Sequence, residues 1–426
     1  MYLFIVIICC LTFILISASG LINKTPVAML GACLVMLFGA IADHTLLIPV
    51  DLNVVFMLMG VMIIGDILAD TGVFEWFAIA SAKKMHGNGM LTVTALMVIA
   101  AVSSALLSTP VTLVYLIPVT ILLAQILDLP VKPVLAMQAY FAGLGGSLTL
   151  VGSPVNFMTG LFFNISFLEV LREMILPVTF IGSVWLILIW IFKGRSLVVS
   201  TGNREHIMKS LPEKAITDRK TLKRALIPVS VTLIVLIFGT SWFGRGLEGV
   251  ILLFGALVTG LLCRFKITPL LHKVNWSVIM FYGSVCILVG GLEAGTLLPG
   301  VGEYIFKYSG GDFKWLPLAV LCGTALLAVF VENIALTVLM LPLIQLIAVR
   351  FQVTDIRPVL WALMLGIMLG GSISLYGSAA NFALARLAKR NKYKISGTKF
   401  CAGGFPLAFI GLMIAAAWLY LKYIDK

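Results

Sequence analysis

Two stretches, GGSLTLVGSPVNF at 145–157 and GGSISLYGSAANF at 370–382, align without a gap and are identical at eight of thirteen positions. Each lies inside a long apolar run and combines glycines with Ser, Thr and Asn. One such match between Gly/Ser-rich segments can arise by chance, but other landmarks follow in the same order. Gly60 and Gly72 fall on Gly283 and Gly295, Asp70 on Glu293, Ser108-Thr109 on Glu332-Asn333, and Pro118 on Pro342, at offsets of 223 to 225 residues. A nearly constant offset over this length marks an internal duplication.

The surroundings of the repeat are apolar. Of 426 residues, 61% are hydrophobic and 11% charged, with a mean hydropathy of +1.11. So few polar side chains cannot cover a soluble protein of this length, whereas repeated runs of about 20 apolar residues each cross a bilayer core of about 30 Å. Ten spans are expected, at 2–20, 25–43, 52–70, 134–160, 174–193, 222–243, 247–264, 275–294, 357–384 and 402–421. The first has no basic leader and no small-residue cleavage pattern, so it reads as a retained helix and not a secretory signal. Two further apolar stretches, 90–127 and 315–349, are interrupted by Ser108-Thr109-Pro110 and Glu332-Asn333, and each reads as too short for two spans and a loop. Both read as re-entrant hairpins, whose irregular tips are tolerated in the membrane only where they line a cavity or are buried. The spans 134–160 and 357–384 break at Gly145-Gly146 and Gly370-Gly371.

Each half then has five crossing segments. Five is odd, so the halves enter from opposite faces. The expected fold is an all-α polytopic membrane protein of about ten transmembrane helices in two inverted-topology repeats, each with a re-entrant hairpin and a broken helix. Repeat 1 is 1–193, a solvated linker is 194–221, and repeat 2 is 222–426. The basic residues test this independently. With both termini on one face, most of the 30 lysines and arginines gather on the other, in Lys83-Lys84, Lys193 to Arg224, Arg264 to Lys273 and Arg386 to Lys399. That face is cytoplasmic by the positive-inside rule, which places the chain in a prokaryotic inner membrane with both termini outside. The same rule accounts for the net charge of +12, so nucleic acid is not an expected partner. The stretches Val73 to Lys84 and Val301 to Lys307 read as arms lying flat on the cytoplasmic and outer faces.

The chemistry falls on few residues. Unwinding a helix in mid-membrane exposes backbone donors, acceptors and half-helix dipole ends, which bind ions or polar solutes where water is absent. Gly145, Gly146, Gly152, Gly370, Gly371 and Gly377 permit that unwinding. Ser108, Thr109, Ser147, Ser153, Asn156, Asn333, Ser372, Ser378 and Asn381 supply neutral ligands, although a single Ser or Thr more often only joins helices. Glu332, at a hairpin tip, costs about 2.5–3.5 kcal/mol to hold charged in mid-membrane on insertion scales. It reads as a proton-coupling residue or as a structural carboxyl on backbone donors. Asp66, opposite Val289 in the other half, is the second coupling candidate, while Asp70 and Glu293 sit near span ends facing water. The seven cysteines show no metal spacing and read as buried free thiols. The four histidines, His44, His86, His206 and His272, fall in connecting segments. No metal or other cofactor is expected. No HExxH, GxSxG or P-loop is present, so the chain reads as no enzyme, and ATP hydrolysis would have to come from a separate cytoplasmic subunit. No Lys or Arg falls in the central polar belt.

MLMGVMIIGDILADTGVFEWFA (57–78), LIPVTILLA (116–124), GGSLTLVGSPVNFMTG (145–160), VFVENIALTVLMLPLI (329–344) and GGSISLYGSAANFALARLAKRNKYKIS (370–396) together resemble the ion transporter superfamily. Within it the chain is similar to the arsenite-permease and sodium/proton-antiporter branch, which includes the pink-eyed-dilution-type permeases. The resemblance spans nearly the whole chain. It implies a fixed scaffold from the first two spans of each half, and a domain of hairpins and broken helices that shifts like an elevator. Relatives carry Asp-Asn at both hairpin tips, and dicarboxylate relatives carry Ser-Asn-Thr. Here the tips are Ser108-Thr109 and Glu332-Asn333, which removes one cation ligand and argues against sodium. The expected function is proton-coupled efflux of arsenite or antimonite. A sodium/proton antiporter and a transporter of organic or inorganic anions are the alternatives.

Overall fold

The computed structural model describes residues 2–18, 24–39, 50–194, 197–239, 246–294, 297–308, 314–350, 352–353 and 355–424, and none of them is in a strand. His44, Gly295 and the far ends of the expected spans 2–20, 25–43 and 222–243 lie outside the described residues.

The first half runs α1 (Tyr2–Ala18), α2 (Lys24–Gly39), α3 (Leu52–Asp70), α4 (Val73–Lys84), α5 (Gly89–Leu107), α6 (Thr109–Ile126), α7 (Val131–Gly146), α8 (Pro154–Phe162) and α9 (Phe167–Lys193). The linker contributes α10 (Thr201–Lys209) and a single 3-10 turn, Pro212–Ala215. The second half runs α11 (Arg219–Phe238), α12 (Glu248–Leu262), α13 (Ile267–Lys273), α14 (Trp276–Ala294), α15 (Leu297–Tyr308), α16 (Leu316–Ala328), α17 (Asn333–Arg350), α18 (Arg357–Ile373), α19 (Ala379–Arg390) and α20 (Gly397–Leu419), which ends in a wider π turn, Tyr420–Ile424. Short polar side chains start many of these helices by accepting first-turn N–H groups. Asp51 does so for α3, Asn88 for α5, Ser166 for α9 and Asp218 for α11.

Among the described residues, eight helices are long and apolar enough to cross a membrane by length and composition, and five shorter apolar helices accompany them. The outer helices are greasy on the outside. Along α9, Trp185 is fully buried while Phe192 is 76% exposed, as expected where the solvent is lipid. In the middle lies α18, buried at every residue from Pro358 to Ser372.

Small residues decide which helices touch. A Cβ on Gly60 of α3 would lie 2.7 Å from the backbone of Leu252 in α12, and one on Gly249 of α12 would lie 2.0 Å from the Asn53 carbonyl. On the other side, Gly291 of α14 packs against Val35 of α2 and Cys9 of α1. Thus α1, α2, α11 and α12 hold α14 and α3 respectively, outside a core of hairpins and broken helices.

The hairpin arms α5, α6 and α17 have 19, 18 and 18 residues. No loop separates the first pair, in keeping with the sequence reading: Ser108 alone makes the turn from α5 to α6, at φ 65° and ψ 153°. Other expectations need correction. The span expected at 174–193 begins at Phe167, because Glu169 and Glu173 are not loop residues. They pair with Arg357, 2.5 Å away, and with Lys422. The second broken span runs on to Arg390, six residues past its expected end. Asp70 does not merely face water but pairs with Lys273 at 2.7 Å. Cys33 and Cys322 are exposed, so not every thiol is buried. The linker is not free in solvent: the Thr217 amide donates to the Thr71 carbonyl at 3.1 Å, and Lys83 Nζ donates to the Ser210 carbonyl at 2.9 Å. It is docked along α4.

Candidate functional site

The turn at Ser108 and the turn before Asn333 meet the two unwound stretches, 147–153 and 374–378, around one small cavity of about 70 Å³. Ser108, Thr109, Ser147, Ser153, Asn156, Glu332, Asn333, Ser372, Ser378 and Asn381 all line it. Methionines close the apolar side, with Met57 and Met62 from α3 and Met364 and Met368 from α18.

The same backbone bonds recur in both halves. The Thr109 amide donates to the Gly152 carbonyl at 3.0 Å, and the Asn333 amide donates to the Gly377 carbonyl at 3.1 Å. Each hairpin tip is thereby tied to its broken helix. Asn156 Nδ2 donates to the Ser147 and Thr149 carbonyls at 3.0 and 2.9 Å; Asn381 Nδ2 donates to the Gly371 and Ser374 carbonyls at 3.0 and 2.9 Å. These carbonyls are the acceptors that unwinding orphans, so each Asn holds its unwound stretch in shape. Ser153 and Ser378 cap α8 and α19 by accepting the Val155 and Asn381 amides. Gly145 and Gly370 are positions of close approach, where a Cβ would lie 2.1 Å from the Ala101 carbonyl oxygen and 2.0 Å from that of Ala325. Gly146, Gly152, Gly371 and Gly377 sit beside the tips under similar crowding.

The helix ends give the cavity its electrostatics. α6, α8, α17 and α19 all begin at its wall, so four N-termini with their positive dipole ends converge there. Glu332 answers two of them. Its Oε2 accepts the Ile334 amide at 2.8 Å and the Ala335 amide at 3.3 Å at the start of α17, and its Oε1 accepts the Ala379 amide at 3.3 Å at the start of α19. It is 3% exposed. The first half has Ser108 here, whose side chain makes no capping bond to α6. Asn333 Oδ1 is buried, beside Gly371, and has no hydrogen-bond partner among the described residues.

Asp66 is buried but is not a cavity residue; its carboxylate accepts the Tyr115 hydroxyl from α6. The sequence reading missed Tyr115, and also Lys24. From the first turn of α2, Lys24 Nζ donates to the Tyr376 carbonyl in the second unwound stretch at 2.5 Å and is close enough to Glu332 to interact with its charge. In sequence Lys24 reads as a loop lysine, because only the tertiary packing carries α2 to residue 376. Among the described residues no group of His, Cys, Asp and Glu could hold a metal ion.

Known proteins place this arrangement. The family model described as "Citrate transporter", CitMHS, matches residues 4–301 and 297–426. The "46 kDa membrane protein" of Mycobacterium leprae is 28% identical over 417 residues, covering 96% of this chain and 96% of that one. The P protein of Sus scrofa is 24% identical over 487 residues, covering 95% of this chain and 57% of its own length. The structure of the Alcanivorax borkumensis YdaH transporter superposes with a TM-score of 0.62 at 13% identity, covering 99% of this chain and 97% of that one. MtrF of Neisseria gonorrhoeae superposes with a TM-score of 0.61 at 11% identity, covering 99% and 94%. This chain belongs to the citrate transporter family and is a multi-pass membrane transporter, not an enzyme.

Proposed function

We propose that the chain is a proton-coupled secondary transporter of a small oxygen-rich anion, such as a short carboxylate or an inorganic oxyanion. The observation that carries this is the convergence of four helix N-termini on one cavity lined by hydroxyls and amides. Such ends favour negative charge. Among the described residues the only carboxylate lining the cavity is Glu332, and its three backbone donors belong to two of those helix ends. A site so arranged accommodates one negative charge well and two poorly, since like charges at contact repel strongly in a dry cavity. Protonation of Glu332 makes room for an anion, and that is a coupling rule for cotransport. The family description, Citrate transporter, supports an anionic substrate class.

Efflux of arsenite or antimonite in exchange for protons is the second reading. The cavity's small size, about 70 Å³, and the hydroxyls and amides that make up most of its polar lining favour it, because arsenous acid is small and uncharged at neutral pH. In either case the two halves are inverted repeats with both termini outside an inner membrane. α1, α2, α11 and α12 form the scaffold, and the hairpins with the broken helices form the moving body. Sodium is the alternative coupling ion.

The test is proton movement in proteoliposomes carrying a pH-sensitive dye, on addition of acetate, phosphate, citrate or arsenite. Proton entry with an anion, absent in Glu332→Gln, supports the first reading. Proton exit with arsenite supports the second. Sodium-driven flux without a proton signal would sink both.

A further inference from the structure

A second cavity, of about 700 Å³, opens between α7, α9 and α20, away from the substrate pocket. We infer that it binds an anionic phospholipid, with an acyl chain in the groove and the phosphate at a three-lysine rim.

The walls are apolar. Met137, Leu188, Phe192, Leu407 and Ile410 line the groove, and Gly403 keeps its floor low. No acidic side chain is among its lining residues, whereas Lys132, Lys193 and Lys399 all are. These three come from separate elements: the second residue of α7, the last of α9 and the third of α20. Their positions matter. A lysine at a helix C-terminus complements the dipole, but Lys132 and Lys399 sit in first turns, where the dipole opposes a cation. Neither of those helices has a side-chain cap, so their leading N–H groups add to the positive field. Charge of one sign at one end and hydrocarbon walls along the rest match a phospholipid. Basic pockets between membrane helices bind such headgroups, and each lysine near an anionic lipid surface strengthens binding by about fivefold.

The groove is also the back wall of the transport site. Tyr140, on its lining, donates its hydroxyl to the Phe400 carbonyl at 2.6 Å and so joins α7 to α20. A Cβ on the next glycine, Gly404, would lie 2.8 Å from the carbonyl oxygen of Ser372, itself a substrate-pocket residue. A lipid here wedges α7, which leads into the first unwound stretch, against α20, which packs on Ser372 just before the second.

The experiment is native mass spectrometry of the purified protein with added phosphatidylglycerol or phosphatidylcholine of equal chain length. Wild type should retain phosphatidylglycerol at higher collision energy than phosphatidylcholine. The triple variant Lys132→Gln, Lys193→Gln, Lys399→Gln should lose that preference, with about a hundredfold weaker binding by the same per-lysine factor. Lys399→Glu alone, a milder change at an exposed helix start, should weaken phosphatidylglycerol by more than tenfold and leave phosphatidylcholine unchanged. Ala136→Trp, which fills the groove, should displace both lipids. Equal retention of the two lipids by wild type would overturn the proposal. So would a preference undiminished in Lys399→Glu, or complete displacement of phosphatidylglycerol by inorganic phosphate, which would mean a headgroup site without a chain site.

Discussion

Glu332 has a structural role, seen in its hydrogen bonds, and a coupling role that we propose, and substitution can separate the two. As a structural carboxyl it accepts three amides from two helix starts, and hydrogen bonds to a charged group contribute about 1.5–3 kcal/mol each. Glu332→Ala should therefore lower the unfolding temperature measured in detergent. Glu332→Gln, which keeps an acceptor oxygen, should retain more of that stability but lose proton coupling in the dye assay. Wild-type pH dependence of transport in Glu332→Gln would remove it from the coupling role. Asn156 and Asn381 test the unwound stretches. Changing Asn156 to Ala removes the donor to three carbonyls and changing Asn381 removes it from two, at a cost of about 1–3 kcal/mol for each group left unpaired, and substrate affinity should fall in both; unchanged affinity in both would move the site elsewhere. At this scale much was legible from sequence. Small polar residues beside glycines in an apolar run point to a polar cavity, and the named set lines one. Lys24 and Tyr115 were not legible, because their partners, Tyr376 and Asp66, are 352 and 49 residues away. Backbone donors at the hairpin tip were the alternative reading of Glu332, but the third bond, from Ala379 in a different helix, was not legible.

At the scale of elements, glycine positions make the sharpest forecasts. Gly145→Ala and Gly370→Ala each push a methyl into a backbone carbonyl of the neighbouring helix, which can yield only by moving the helix. Both should destabilise by about 3 kcal/mol or more, within the range for overpacked cores, and should reduce the yield of monodisperse protein. Gly323→Ala on α16 is the control. Nothing lies within 4 Å of that position, so the change should be neutral or stabilising by up to about 1 kcal/mol. The linker offers a pH forecast at the start of α11. Asp218 accepts the Thr221 hydroxyl and the amides of Thr221 and Lys220, and those bonds hold its carboxyl below the usual carboxylate range. A depressed pKa means the cap's contribution is complete above the unfolded value and disappears as pH falls through the folded one. Amide exchange in the first turn of α11, corrected for its intrinsic pH dependence, should stay slow through mildly acidic pH and rise only below the ordinary Asp range; Asp218→Asn should abolish that step. Breaks and long spans were readable here because Gly pairs and apolar runs have few other uses. The backbone geometry of the first hairpin turn, a single serine with positive φ, is something sequence composition does not announce. α9 was misjudged because its acidic residues pair with Arg357 and Lys422 from the other half.

For the whole molecule, the division into scaffold and moving body predicts relative motion between Lys24 and Tyr376. Cysteines placed at both positions in a background without native cysteines, joined by a cleavable cross-linker, should stop transport, and cleavage should restore it. Uninterrupted transport in fully cross-linked protein would mean that α2 and the second unwound stretch move together. The Thr109 and Asn333 amides make the same kind of bond to Gly152 and Gly377, as the duplication proposed from sequence would have them do. The walls of the substrate cavity are tied mainly to one another: tip to unwound stretch, unwound stretch to Asn, and tip to α19 through Glu332. Under the proposed motion, a pocket bonded in this way travels whole. It then presents the same contacts to solute arriving from either side, so half-saturation should match in right-side-out and inside-out vesicles. The direction of net flow would belong to the gradients across the membrane rather than to the protein, and reversing them should run the same machine backwards.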